Sequence, residues 1–380
     1  MSPLTKIAFA AVLAALAGGA SAADLGKSLE VLGSVGPRGA GNEAAAAAWQ
    51  EVARSDAAEL PMLLAALDRA NPLAANWIRT AIDAICERTL REGRSLPQTS
   101  LEQFVLETAH APKGRRLAYE WLLQVDARAE ERIVPQFLHD PSLELRRDAV
   151  ARLVAQAESA GGPKETIELL KTALDAARDR DQVDTIAKSL KKRAIQVDLV
   201  RHDGFVVDWW VIGPFDNTGG KGFRAEYAPE KGFDPQAEHP GKHGPVRWRR
   251  FSSDSPEGQV DLNKALAEEM EQEKEREIVG YAAAEFHSAE PLAVQIRTAS
   301  VNALKIWLNG ELVDEHEVYH GGSVFDQYKA AAILQPGRNV ILVKACQNAQ
   351  SQDWAEVLSF QLRVCDEIGT AVHSQQKPGG

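Results

Sequence analysis

The pentapeptide His316-Glu317-Val318-Tyr319-His320 spells the two-ligand-plus-base pattern of zinc peptidases. That chemistry requires a helix, which sets both imidazoles on one face and the carboxylate beside a metal-bound water. The flanking residues argue for extended chain instead. Asn309-Gly310 marks a tight hairpin turn six residues before His316, and Gly321-Gly322 follows His320 at once. In a strand the two imidazoles would stand ~13 Å apart, too far for shared coordination at ~2 Å bonds. No third ligand has suitable spacing, so no metal is expected. A second pair, in His239-Pro-Gly-Lys-His243, lies on a Gly/Pro loop and reads as surface histidine. The chain has no Gly-x-Ser-x-Gly, Walker loop or Cys-x-x-Cys pair. Catalytic residues and cofactors are therefore expected to be absent, and recognition chemistry is what remains.

Three cysteines are few for an exported chain. Cys86 falls in the helical part, and Cys346 and Cys365 in a predicted hairpin of strands Asn339–Cys346 and Leu358–Cys365. Antiparallel pairing would hold those two thiols ~20 Å apart along the ladder. A disulfide needs Cα atoms within ~7 Å, so three free thiols are expected and no disulfide.

Export itself is read from the first residues. Lys6 precedes an apolar run from Ile7 to Ala17, and Ala20-Ser21-Ala22 offers an A-x-A cleavage site. The run is shorter than the ~20 residues a membrane span needs. A leader at 1–22, a linker at 23–41, and a secreted or periplasmic product without membrane insertion are expected. The net charge of −11, more negative once Lys6 is lost, argues against nucleic acid as partner, since phosphates need a surplus of Lys and Arg.

Over 42–196 the residues are rich in Ala, Leu, Arg and Glu, with Pro and Gly as punctuation. Arg79-Thr-Ala81-Ile82, Arg116-Leu-Ala118-Tyr119 and Arg147-Asp-Ala149-Val150 share an Arg-x-Ala-apolar core. Each is followed by an apolar residue six positions on (Ile85, Leu122, Leu153) and preceded by a Pro (Pro72, Pro112, Pro141). Repeats spaced 37 and 31 residues apart mark stacked helical pairs that bury their faces against neighbours. Asp140-Pro-Ser-Leu-Glu-Leu-Arg-Arg147-Asp-Ala-Val-Ala-Arg-Leu153 resembles the second helix of a HEAT repeat, which implies a HEAT-like α-solenoid. A non-repetitive helical bundle is the alternative.

Beyond Val197 β-branched runs replace the Ala-rich helices, and five of the eight Trp lie there. Phe205–Ile212, Tyr281–His287, Leu292–Thr298, Ala303–Leu308, Asn339–Cys346 and Leu358–Cys365 read as strands, and many short strands with tight turns mean a sandwich. Phe360, Leu362 and Val364 alternate with Ser359, Gln361 and Arg363, so one face of the last strand is buried and one wet. Leu262–Glu277 reads as an acidic helical insertion with a solvated Glu-rich face. Leu304-Lys-Ile-Trp307-Leu-Asn309-Gly310-Glu-Leu-Val313 with Leu334-Gln-Pro336-Gly337-Arg-Asn339-Val-Ile-Leu-Val343 resembles the galactose-binding-like jelly roll, and is similar to the sugar-binding domain of family 2 glycoside hydrolases. The resemblance implies a galactose-binding-like β-sandwich (jelly roll) over 205–366, with a flexible tail at 367–380. It implies no particular ligand.

The expected whole is multidomain, α then β. Its function is read as an exported, non-enzymatic binding or scaffold protein, with helices for protein contact and a sandwich that docks a glycan or an extracytoplasmic protein. The runner-up is an accessory carbohydrate-binding subunit of a polysaccharide-degrading system, and a hydrolase comes third. Phe215, Asp216, Asn217, Tyr319, His320, Asn348 and Trp354 are expected to line the ligand-binding rim. Packing explains Tyr319 and Trp354 equally well, and turn chemistry explains Asp216, Asn217 and Asn348. Trp307, in mid-strand, is core by default.

Overall fold

The computed structural model describes residues 22–271, 274–352 and 355–375, so the leader, apart from Ala22, and Trp354 lie outside the described residues. The chain divides into two compact units at Ala177/Arg178. The first is helical: α1 (Ala22–Gly33), α2 (Asn42–Val52), α3 (Leu60–Ala65), α4 (Pro72–Arg91), α5 (Gln98–Leu106), α6 (Pro112–Val125), α7 (Ala129–Ile133), α8 (Leu143–Ser159) and α9 (Pro163–Ala176). Helix α1 replaces the linker expected at 23–41, because Leu25 and Leu32 enter the helical core. Pro72 and Pro112 each occupy a first turn, where no N–H is needed. No described helix is long and apolar enough to cross a membrane.

The repeated Arg-x-Ala-apolar segments fall on α4, α6 and α8. Their apolar positions Ala81, Ile82, Ile85, Ala118, Tyr119, Leu122, Ala149 and Val150 are buried. Two of their arginines pair forward: Arg79 donates to Glu120 of α6 at 3.1 Å, and Arg116 to Asp148 of α8. Beneath them Arg115 is enclosed, its guanidinium donating to both oxygens of Asp140 at 2.8 and 2.6 Å and to the Val105 carbonyl at 2.7 Å. Asp140→Ala is expected to destabilise the helical unit by about 3–5 kcal/mol, since it strands a buried guanidinium. Urea unfolding followed by circular dichroism checks this, and an unchanged midpoint would contradict it.

The second unit opens with α10 (Arg180–Lys191) and α11 (Leu199–Asp203), so the boundary between the units falls before the expected 196 although helix continues past it. The reason is local: Arg180 donates to Asp203 at 2.7 Å, tying α10 to the residues that enter the sheets. The strands are β1 (Asp208–Asp216), β2 (Glu238–Pro240), β3 (Pro245–Arg247), β4 (Arg249–Ser252), β5 (Gln259–Asp261), β6 (Ile278–Ser288), β7 (Leu292–Ala299), β8 (Ala303–Leu308), β9 (Glu311–His316), β10 (Tyr328–Leu334), β11 (Gly337–Gln347) and β12 (Ser359–Cys365). They form a six-stranded sheet in the order β4-β1-β6-β11-β8-β9, a four-stranded sheet β10-β7-β12-β5 and the small ribbon β2-β3. The two larger sheets face each other over Trp209, Phe286, Ile296, Ile306, Val343, Phe360 and Leu362, which makes a β-sandwich. A second apolar cluster covers the outer face of the six-stranded sheet, where residues 218–248 fold back over Tyr281, Trp307 and Leu342. Trp307 thus points away from the sandwich interior.

Several expectations are corrected. The β11–β12 hairpin does not form: β11 lies between β6 and β8, and β12 between β7 and β5. The chain leaves one sheet at Gln347 and enters the other at Ser359, with Leu358 buried just before it. Cys346 therefore sits opposite Ala303 and Val279, and Cys365 opposite Gln295, in different sheets. All three thiols are free and buried, and desolvation pushes those of Cys86 and Cys346 up to about 12. Among the described residues, the acidic insertion is helical over Leu262–Ala265 alone (α12), which Asp261 caps by accepting from the Lys264 N–H. One of its glutamates, Glu275, is not solvated: it is buried against Lys242 at 3.0 Å and His243 at 2.6 Å. His243 is therefore paired rather than a bare surface histidine. The tail is held as far as Gln375, since Val372 donates to the Val364 carbonyl and Gln375 to that of His287, both at 2.9 Å.

Candidate functional site

Strand register decides which loops share an end of the sandwich. Asp216 and Gln347 both lie opposite Ile278, Cys346 opposite Ala303, and Leu304 opposite His316. The segments after β1, β9 and β11 therefore emerge at one pole, which gathers the rim residues other than Trp354, which is not among the described residues. Asn217 donates through Nδ2 to the Gln347 carbonyl at 2.7 Å and to the Tyr319 hydroxyl at 3.3 Å. His320 Nε2 lies 2.8 Å from Asn348 Oδ1. Exposed Asp216 accepts from the Thr218 hydroxyl at 2.6 Å, which holds its carboxyl below the usual range.

Their burial, however, gives them another job. Asn217 is 0% and Phe215 2% exposed, the latter packed on the rings of Tyr227 and Tyr281. Neither can touch a ligand, so both knit the pole together. Tyr319, His320 and Asn348 stay half-buried. The peptidase-like pentapeptide is also dispersed. His316 ends strand β9 with its ring stacked 3.6 Å from that of Tyr328 and Nε2 2.9 Å from Asp314. Glu317 pairs with Arg224 at 2.7 Å. The three side chains turn to three different partners.

The open cleft begins farther along the same β9–β10 segment, at Ser323 and Phe325. It has a volume of about 420 Å³ and lies against the outer face of the four-stranded sheet. Alternation along β12 builds its floor. Phe360, Leu362 and Val364 point into the sandwich, leaving Ser359, Gln361 and Arg363 on the other side. Gln361 pairs in register with Gln259 of β5 and Ala299 of β7. Gln259 donates to the Ser359 hydroxyl at 3.0 Å, and Gln361 to the Glu257 carbonyl at 2.8 Å. Each amide is thus fixed through its nitrogen, with no protein donor at Oε1 among the described residues.

Charge holds the walls. Asp326 accepts from Arg297 at 2.6 Å and from Arg363 twice at 2.7 Å, fastening the segment that carries Phe325 to two sheet arginines. Burial alone would raise the Asp326 carboxyl, but the two guanidiniums outweigh it and hold it below the usual carboxylate range. The Phe325 ring lies 4.7 Å from the Arg363 guanidinium and meets Phe205 edge-on at 6.1 Å. Arg180, across the cleft, is engaged by Asp203 and by Asp184 at 3.0 Å. The lining thus offers amide and carboxylate acceptors, a tethered guanidinium and two aromatic rings, the set that hydrogen-bonds hydroxyls and covers the apolar side of a small ring. Sequence reasoning missed Gln259 because its strand is three residues long, and it read Ser359, Gln361 and Arg363 as a wet face, whereas Ser359 and Arg363 are buried.

No family model and no curated protein matches the chain. Among solved structures, it is similar to a family 35 carbohydrate binding module from Clostridium thermocellum, with 16% identity and a TM-score of 0.18 over 23% of this chain and 71% of that one. It is also similar to a PA14 sugar-binding domain from an RTX adhesin, with 15% identity and a TM-score of 0.27 over 45% of this chain and all of that one. A β-glucosidase from Kluyveromyces marxianus in complex with glucose aligns at 10% identity and a TM-score of 0.27 over 75% of this chain, which spans about a third (35%) of that enzyme. Alignments this loose carry no weight for function, which rests on the side chains themselves.

Proposed function

We propose that the chain is an exported, non-catalytic saccharide-binding protein. In this reading the sandwich is a galactose-binding-like module, and the helical unit is a HEAT-like array that contacts another protein. The observation that carries the saccharide reading is the cleft beside Phe325, where the amides of Gln259 and Gln361 are fixed through their nitrogens at the foot of two aromatic rings. Amide oxygens fixed in this way accept from ring hydroxyls without losing side-chain freedom on binding. Among the described residues, a leader cut after Ala22 would remove only the first residue of α1 (Ala22–Gly33).

A glycan array probed with the full mature chain tests the reading. Neutral oligosaccharides are expected to bind, and Gln259→Ala combined with Gln361→Ala is expected to weaken them about tenfold, the loss of one or two hydrogen bonds to hydroxyls. Absence of any saccharide signal, or equal signals from the double variant, would overturn it. The N-terminal sequence of the protein from its own host should begin at Ala23, and an intact Met1 would contradict export by this leader.

A further inference from the structure

We propose that a second cleft, on the outer face of the six-stranded sheet, binds a sugar ring that carries a carboxylate. The cleft encloses about 360 Å³ between the Asn309-Gly310 turn and the segment Pro229–Phe233. Trp307, Phe233, Val340 and Leu342 supply its apolar surface, and Glu230, Lys231 and Arg338 its charges. Gly232 and Gly310 leave the mouth clear, since a Cβ at either would meet nothing within 4 Å.

The charges do not cancel inside the cleft. Glu230 is already matched from beneath: its Oε1 lies 2.8 Å from the ammonium of Lys344, which is fully buried, and also accepts from the Tyr281 hydroxyl. Glu285, on β6, takes the Arg338 Nε at 2.7 Å and so fixes the plane of that guanidinium. Neither Nη1 nor Nη2 of Arg338 has a protein partner among the described residues, and the Lys231 ammonium has none either. A guanidinium held through Nε with its two terminal nitrogens open is set to take a carboxylate by two parallel hydrogen bonds. Its carbon lies 5.8 Å from the Phe233 ring centre, so a bound acid would have its own ring beside an aromatic surface. Asn309 is spent inside the fold, donating to Asn339 and accepting from the Val340 N–H, which leaves recognition to the basic pair. This inference does not rest on the cleft beside Phe325.

Calorimetric titration of the full mature chain with trimers of galacturonic, glucuronic and mannuronic acid, and with the neutral galactose trimer, tests it. At least one uronate trimer is expected to bind about tenfold more tightly than the neutral one, as two charge-assisted hydrogen bonds require. Arg338→Gln should remove that advantage, Arg338→Lys should restore only part of it, and the affinity should fall with added salt. Arg338 is exposed enough for both variants to fold, which their melting curves verify. Failure of all three uronates to bind at millimolar concentration, or an Arg338→Gln variant that titrates like the wild type, would each overturn it.

Discussion

Replacing Asp326 by Ala is expected to cost the second unit about 3–5 kcal/mol and to release the Phe325 segment from the sheet. The magnitude follows from burial: the substitution leaves the guanidiniums of Arg297 and Arg363, 6% and 4% exposed in their side chains, without their shared carboxylate. A pH signature separates this from ordinary loss of packing. Because the folded Asp326 titrates below the unfolded value of about 3.9, its contribution is full above that pH and is lost as pH falls toward the folded value. Acid unfolding of Asp326→Asn should therefore lack the part of the wild-type slope that lies below about pH 4. Thermal melts from pH 3 to 7 measure this. An Asn variant that tracks the wild type throughout would show that Asp326 carries little of the stability.

Lys344→Met is expected to be similarly severe. The fully buried ammonium donates to the carbonyls of Ala225 at 2.6 Å and Phe223 at 3.3 Å, pairs with Glu230, and lies 5.3 Å from the ring centre of Tyr227. Met fills the volume but strands two carbonyls and a carboxylate, so a loss of about 3–5 kcal/mol is expected. Proteolysis should then cut first within 218–233, the segment that Lys344 fastens to the sheet. Adding Glu230→Leu to Lys344→Met should recover part of the loss, because the uncompensated carboxylate goes with it. Wild-type resistance to protease in the single variant would contradict the anchoring role.

How far these features were legible in the sequence depends on their range. Asn309-Gly310 specified its own hairpin, with Asn309 at φ 54° and Gly310 at φ 84°, because turn chemistry is local. The strand over Ala303–Leu308 was readable as a short apolar run leading into that turn. Strand partners were not: the nearness of Cys346 and Cys365 in the chain suggested a hairpin, while burial on both faces places each strand at the centre of a different sheet. Strand β10, Tyr-Lys-Ala-Ala-Ala-Ile-Leu, escaped notice because its alanines carry no period-two signal. Among the site residues, Asn217, Tyr319, His320 and Asn348 were suggested by residue type, whereas the sharing of one pole by their loops follows from strand order. The burial of Asn217 and Phe215 was not, because it depends on the fold-back of 218–248 over the outer sheet face. Lys344 reads as an ordinary surface lysine until its three acceptors, more than a hundred residues away, are in place.

The most direct test of saccharide binding beside Phe325 is the response of side-chain amides to a ligand. The chain would be labelled with ¹⁵N at Gln and Asn and titrated with a neutral oligosaccharide chosen from the array. The side-chain amide signals of Gln259 and Gln361 are expected to shift in proportion to occupancy, while those of Asn217 and Asn348 at the pole stay in place. Shifts at Asn217 and Asn348 with none at Gln259 and Gln361 would contradict the assignment of the cleft.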